Sequence, residues 1–126
     1  MKVVYVDTSC LVALALGEPA GARLQRRLSG FDALHASNLL EAELKSFMAR
    51  ERSAAPPALF RSITWITPDR PLQAEIDRVL AAGYVRGADC WHLASALYLA
   101  DDPGSISFLT LDARQASVAR KLGFQE

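Results

Sequence analysis

Apolar positions along this chain fall into two spacings, short unbroken runs and helical stripes, and the two alternate. Val3, Val4, Tyr5 and Val6 form a run rich in β-branched and aromatic types, the mark of a strand covered on both faces. Residues 10–16 are apolar nearly all round, which suits a helix buried in the core or in a dimer interface. Pro19 starts a second helix, with Arg23, Arg26 and Arg27 outward and Leu24 and Leu28 inward. A short strand is expected at 33–37, then a strongly periodic helix over 38–52 that ends before SAAPP, the clearest loop signal in the chain. A short helix at 57–62 leads into a strand at 63–67, closed by PDRP. Further helices follow over 71–82, stopped by Gly83, and over 88–100, stopped by DDPG. The last clear strand, 106–111, precedes a helix that runs to Leu122 and stops at Gly123.

This βαβα alternation predicts an α/β fold: a three-layer α/β/α sandwich with a mostly parallel central sheet. No internal repeat or long linker divides the chain, so residues 1–126 are expected to form one domain, the ordinary outcome at about 100 to 150 residues. Sites in such sheets lie beyond the carboxyl ends of the strands. Asp7 and Asp112 each stand where a predicted strand gives way to a helix. An apolar fraction of 51% is at or slightly above the globular average and leaves some apolar surface for a partner. Formal net charge is zero, so bulk electrostatics give no support to nucleic-acid binding, and any such function must rest on local residues. Cys10 and Cys90 sit among apolar neighbours and read as buried free thiols in a reducing compartment. The stretch 10–16 is far short of the roughly 20 residues of a membrane span, and no targeting segment is expected; the implied location is cytoplasmic.

Taken singly, most acidic residues have a plain structural explanation. Asp112, with Gln115 three residues on, approximates a capping box, and Asp89 could cap the helix it opens. Capping explains Asp7 less well, because Thr8 and Ser9 after it are equally good caps. Leaving a polar group unpaired where the chain quits the core costs roughly 2 to 7 kcal/mol, and a charge costs more. Glu43 is the informative one. At about 100° per residue its helix brings Leu39, Leu40 and Phe47 close to it inside the apolar stripe, whereas Glu41 falls on the far side in the spacing of a solvated pair with Lys45. Asp89 is placed like Glu43, since Leu93, Ala96 and Leu97 continue its face. Two inward carboxylates and two at strand ends call for a shared neutralising partner. No lysine or arginine lies in those stripes, Arg50 and Arg86 being the nearest. A divalent cation with hard oxygen ligands would serve all four, and the chemistry it serves is phosphoryl transfer to water. Without it the acids should repel and raise one another's pKa.

Four stretches, VDTS, LLEAEL, RGADCWHLASAL and FLTLDARQ, in this order and at these intervals, resemble the PIN-domain ribonucleases, and among them the VapC-type toxins of toxin-antitoxin pairs. The likeness covers residues 3–124. It implies a Mg2+- or Mn2+-dependent endoribonuclease whose catalytic, metal-binding quartet falls on Asp7, Glu43, Asp89 and Asp112. By the same likeness Thr8 or Ser9 orients Asp7 or a bound water, Arg86 helps hold RNA, and the protein is a homodimer restrained by a cognate antitoxin. The chain as given stops at GFQE, so any closing edge strand is expected to be very short.

The remaining candidates are bland. His92 is on a different helix face from Cys90, which disfavours a Cys-His nucleophile pair, and reads as a satisfied core histidine; His35 has no metal-ligand spacing to another histidine. Trp65 and Trp91 read as core, with base stacking by Trp91 left open. The arginines of the second helix are either a phosphate-binding group or a solvated face. Two rivals stand beside the nuclease reading. A haloacid-dehalogenase-type phosphatase also begins strand-Asp, but usually has a second Asp where this chain has Ser9. A catalytically silent PIN-like module that binds RNA or protein would have no reason to keep four such acids.

Overall fold

The computed structural model of the protein describes residues 1–54 and 56–126; Ala55, inside the expected SAAPP loop, lies outside the described residues. Four strands, β1 (Val3–Val6), β2 (Ala33–Ser37), β3 (Ile63–Ile66) and β4 (Ile106–Leu109), form one sheet in the order β3-β2-β1-β4. Every strand pair is parallel, with Tyr5 opposite His35 on one side and Phe108 on the other. The expected closing edge is a single bridge: Gln125 pairs with Ser107, exchanging hydrogen bonds with Ile106 and Phe108.

Helices cover both faces, as parallel strands require. One face carries α1 (Thr8–Leu16), α2 (Pro19–Leu28) and α3 (Asn38–Arg50), whose buried side chains pack with Val4, Val6 and Leu109, and α4 (Pro57–Arg61), which adds the half-buried Leu59 and Phe60. The other carries α5 (Gln73–Ala82), α6 (Gly87–Leu99) and α7 (Ala113–Leu122), packed with Tyr5, Ile106 and Phe108. Alternation along β1 thus sends Val4 and Val6 to one core and Tyr5 to the other.

Elements agree closely with the sequence expectation, and the differences have local causes. Helix α1 begins two residues before 10–16, because Asp7 takes the N-cap position and accepts from the Ser9 amide. Cys10, Leu11 and Ala13 are buried against α2 and α3, whereas Val12, Leu14 and Ala15 are half-buried and Leu16 is exposed, so one side of the helix belongs to the core. The α1–α2 crossing is close enough that a Cβ on Gly21 would sit 2.7 Å from the carbonyl oxygen of Ala13. Helix α3 ends at Arg50 rather than 52, where Arg52 turns into a positive φ of 52°. Helix α5 starts after Pro71 and Leu72, and β4 ends at Leu109 as the chain bends toward α7. Both cysteines are buried and free, while Trp65 and Trp91 are half-buried rather than fully in the core. Among the described residues no helix is long and apolar enough to cross a membrane.

The topology sets the place of the site. From β1 the chain builds outward through β2 to β3, then returns to add β4 on the other side of β1. Between the carboxyl ends of β1 and β4 the connections diverge, which opens a crevice at that point. Asp7 leaves β1 there, and Asp112 follows β4.

Candidate functional site

Asp7 is buried to 4% exposure, and its charge is met by donors gathered from two distant parts of the chain. One carboxylate oxygen accepts from the Ser9 amide at 3.1 Å and the Ser9 hydroxyl at 2.9 Å; the other accepts from the Gln115 side-chain amide at 3.3 Å. Ser9 in turn accepts from the Leu111 amide at 3.0 Å, which ties the turn after β1 to the turn after β4. Asp7 is therefore both the cap of α1 and a charge held in the crevice, where the sequence offered Thr8 and Ser9 as rival caps.

Asp112 caps α7 as expected, accepting from the Gln115 amide at 2.8 Å. The second half of a capping box is missing, because the Gln115 side chain turns inward. It accepts from Thr110 Oγ1 at 2.7 Å and donates to Asp7 and to the backbone carbonyl of Asp89. Gln115, read in the sequence only as half of a capping box, and Thr110, not singled out at all, both belong to the site. A glutamine on the buried face of α7 was the available signal.

Asp89 is not a cap. Arg86 holds that position on α6 without a side-chain bond, and Asp89 lies in the first turn, half-buried. Burial, then the charges of Asp7 and Asp112, hold its proton more tightly than is usual for an aspartate, with His92 acting in the opposite sense. Asp89 and Asp112 line one cavity of about 360 Å3 together with Tyr84, Arg86 and Arg114.

Glu43 behaves differently. Its side chain is 32% exposed, and His92 Nε2 at 2.7 Å and Thr8 Oγ1 at 2.9 Å both bond Oε1. The hydrogen bond from His92 pulls its pKa below the usual glutamate value, against burial and aided by Thr8. Mutual repulsion of the acids, expected from their clustering, thus adds to burial in Asp89, whereas in Glu43 burial alone opposes the lowering. Glu41 makes the predicted surface pair with Lys45 at 3.6 Å. Arg50 pairs with Glu51 at 3.7 Å and shares a hollow with Glu43, Ser46 and Phe47.

His92 is the satisfied core histidine of the sequence reading, at 1% exposure, but its satisfaction comes from the site itself. The Ser37 amide donates to the Tyr5 hydroxyl at 3.2 Å, and Tyr5 lies 2.9 Å from His92 Nδ1. Burial keeps the Tyr5 phenol protonated, so it can donate to Nδ1. That assignment places the ring proton on Nε2, facing Glu43, with Asp7 Oδ1 3.8 Å away. Where the sequence offered Glu43 no lysine or arginine, the fold supplies a hydrogen-bond donor instead, the Nε2–H of this histidine.

Among the described residues no three acid, histidine or cysteine side chains converge into a ready-made ion cage. The donor set nevertheless fits Mg2+ or Mn2+, which keep several waters and need only one or two direct carboxylates plus substrate oxygens. Asp89 and Asp112 facing one cavity, with Asp89 burdened by its acidic neighbours, are such a pair.

A family profile described as PIN domain matches residues 4–121 of the chain. No curated protein and no solved structure matches it.

Proposed function

This chain belongs to the PIN-domain family, whose fold is that of nucleases generally dependent on divalent metals, and on that basis we propose that it is a metal-dependent endoribonuclease. The observation that supports this most is the gathering of Asp7, Glu43, Asp89 and Asp112 around the carboxyl ends of β1 and β4, with Asp89 and Asp112 lining one cavity. In this reading Asp89 and Asp112 hold the metal, with Asp7 behind them and Glu43 at the α3 side. When bound, Mg2+ or Mn2+ supplies Lewis acidity toward the phosphate and a more acidic attacking water.

The chain's own residues do the rest. Ser9 and Gln115 fix Asp7, so that its charge faces the crevice without reorganising. Thr8 and His92 occupy Oε1 of Glu43 and leave Oε2 for the substrate side. Arg86, on the cavity wall, offers a guanidinium to a phosphate of the RNA. The finer reading, a toxin restrained by a cognate antitoxin and working as a homodimer, rests on the likeness of the four motifs. Of α1, Leu16 at 40% exposure and the half-buried Val12, Leu14 and Ala15 are left for such an interface.

Incubation of a single-stranded RNA with chelator-stripped protein tests the activity. Cleavage is expected on addition of Mg2+ or Mn2+ and not in chelator. Cleavage that proceeds equally in chelator, or none with either metal, would overturn the proposal.

A further inference from the structure

Beside the acids, the cavity formed by Asp89 and Asp112 has a second wall of a different chemistry: Tyr84, Arg86 and Arg114. Tyr84 is 68% exposed, an unusual place for an aromatic ring unless something covers it. Its position is fixed rather than incidental. Tyr84 stands between the end of α5 and the start of α6, and its neighbour Val85 is buried in the core at 4% exposure, which turns Tyr84 outward. The Arg114 guanidinium lies 5.9 Å from the Tyr84 ring centroid, and neither Arg86 nor Arg114 has an ion-pair partner among the described residues. An exposed aromatic ring with one guanidinium beside it and a second on the same wall, neither in an ion pair, within one cavity of about 360 Å3, make a combination suited to a nucleotide. Stacking uses the π-face that every base has, and arginine meets phosphate with a planar fork.

We propose that Tyr84, Arg86 and Arg114 form a nucleotide subsite for single-stranded RNA, in which a base next to the scissile phosphate stacks on Tyr84 and a flanking phosphate is held by the two arginines. This rests on the endoribonuclease reading and deepens it. Without metal the acids sharing the cavity repel a phosphate, and the two arginines offset that repulsion. Tyr84 is sequence-tolerant, so it sets where the backbone lies more than which base is cut.

The test is binding, free of turnover: fluorescence anisotropy of a labelled short single-stranded oligoribonucleotide in chelator, and the same oligonucleotide with one abasic position moved stepwise along it. Tyr84→Ala is expected to weaken binding by about 5- to 100-fold, the range of one base–aromatic stack, while Tyr84→Phe binds like the parent. One abasic position is expected to cost the parent affinity and to cost Tyr84→Ala almost nothing further, a coupling that a merely structural tyrosine would not produce. Arg86→Ala and Arg114→Ala are each expected to reduce the salt dependence of binding by about one ion. If the parent binds RNA and Tyr84→Ala binds equally well, or Tyr84→Phe fails as badly as Tyr84→Ala, the stacking subsite is overturned while the nuclease reading stands, and the patch serves some other molecule. If the parent binds no RNA in chelator, the subsite is overturned, while the nuclease reading is decided separately by metal-dependent cleavage.

Discussion

Two glutamates, two positions apart on one helix, have opposite fates in this protein. Glu43 is held by His92 and Thr8 beside the crevice, and Glu41 pairs with Lys45 at the surface. Glu43→Gln is expected to reduce RNA cleavage by about 100-fold or more, the scale of a lost ligand or its support. Glu41→Gln is expected to leave cleavage intact and to cost only about 0.2–0.5 kcal/mol, the worth of an i,i+4 pair. Cleavage rates of the two purified variants decide this; retention in the first and loss in the second would place the wrong glutamate in the site. Because the fold lowers the Glu43 pKa, its charge stabilises the native state, so Glu43→Gln should also lose about 1 kcal/mol of stability in urea. Repulsion alone would have predicted the reverse. The face of Glu43 was legible from helical periodicity, but its partner was not: His92 lies 49 residues away in sequence.

At the scale of elements, the hairpin of α1 and α2 shows how local preference and packing can disagree. Alanine in place of a helical glycine usually gains up to about 1 kcal/mol from propensity. At Gly21 the added Cβ would meet backbone, Ala13 O at 2.7 Å and Ala13 C at 3.2 Å, which cannot rotate away. Overpacking of this kind costs about 1 to 3 kcal/mol, so packing wins. Gly21→Ala is expected to lower the urea midpoint with an unchanged slope; an increase would show that the two helices separate at no cost. The helices themselves were legible, since Pro19 starts α2 and the arginine and leucine positions set its faces. Their close approach was not, because the clash belongs to two backbones and leaves no periodic mark.

For the whole molecule, the half-buried Asp89 among its acidic neighbours is a load on stability that a bound cation would relieve. Asp89 has a raised pKa in the fold, so its ionised form is less stable there than in the unfolded chain. The sign follows: below the ordinary aspartate range the group is neutral in both states and costs nothing. As pH rises from that range through the raised native value, the cost appears and then stays. Chelator-stripped protein is therefore expected to lose stability over that window relative to Asp89→Asn. Millimolar Mg2+ or Mn2+ should raise the melting temperature of the parent at neutral pH and do much less for the variant. Calorimetric scans of both proteins with and without metal check this, and a parent melting temperature indifferent to both ions would count against the metal site.

What the sequence determined by itself is whatever is written in short-range order. Runs of Val and Ile mark strands buried on both faces, 3.6-residue stripes mark helices, and Pro and Gly mark their ends, so the α/β alternation and the strand-end positions of Asp7 and Asp112 follow directly. Glu43 and Asp89 stand out by the same rules, because an acid inside an apolar stripe contradicts its surroundings, while the quartet as a set came from the likeness of the four motifs. Only the tertiary structure decided which groups share a charge. Tyr5 meets His92 across 87 residues, Gln115 meets Asp7 across 108, and Tyr84 meets Arg114 beside Asp89 and Asp112. Such pairings depend on strand order, here the return of the chain to place β4 beside β1, and strand order is set by the packing of all layers together. A hydrogen bond or a Coulomb interaction acts over a few ångströms of space, whatever the distance along the chain, and so the site's electrostatics come into being only when the sheet closes.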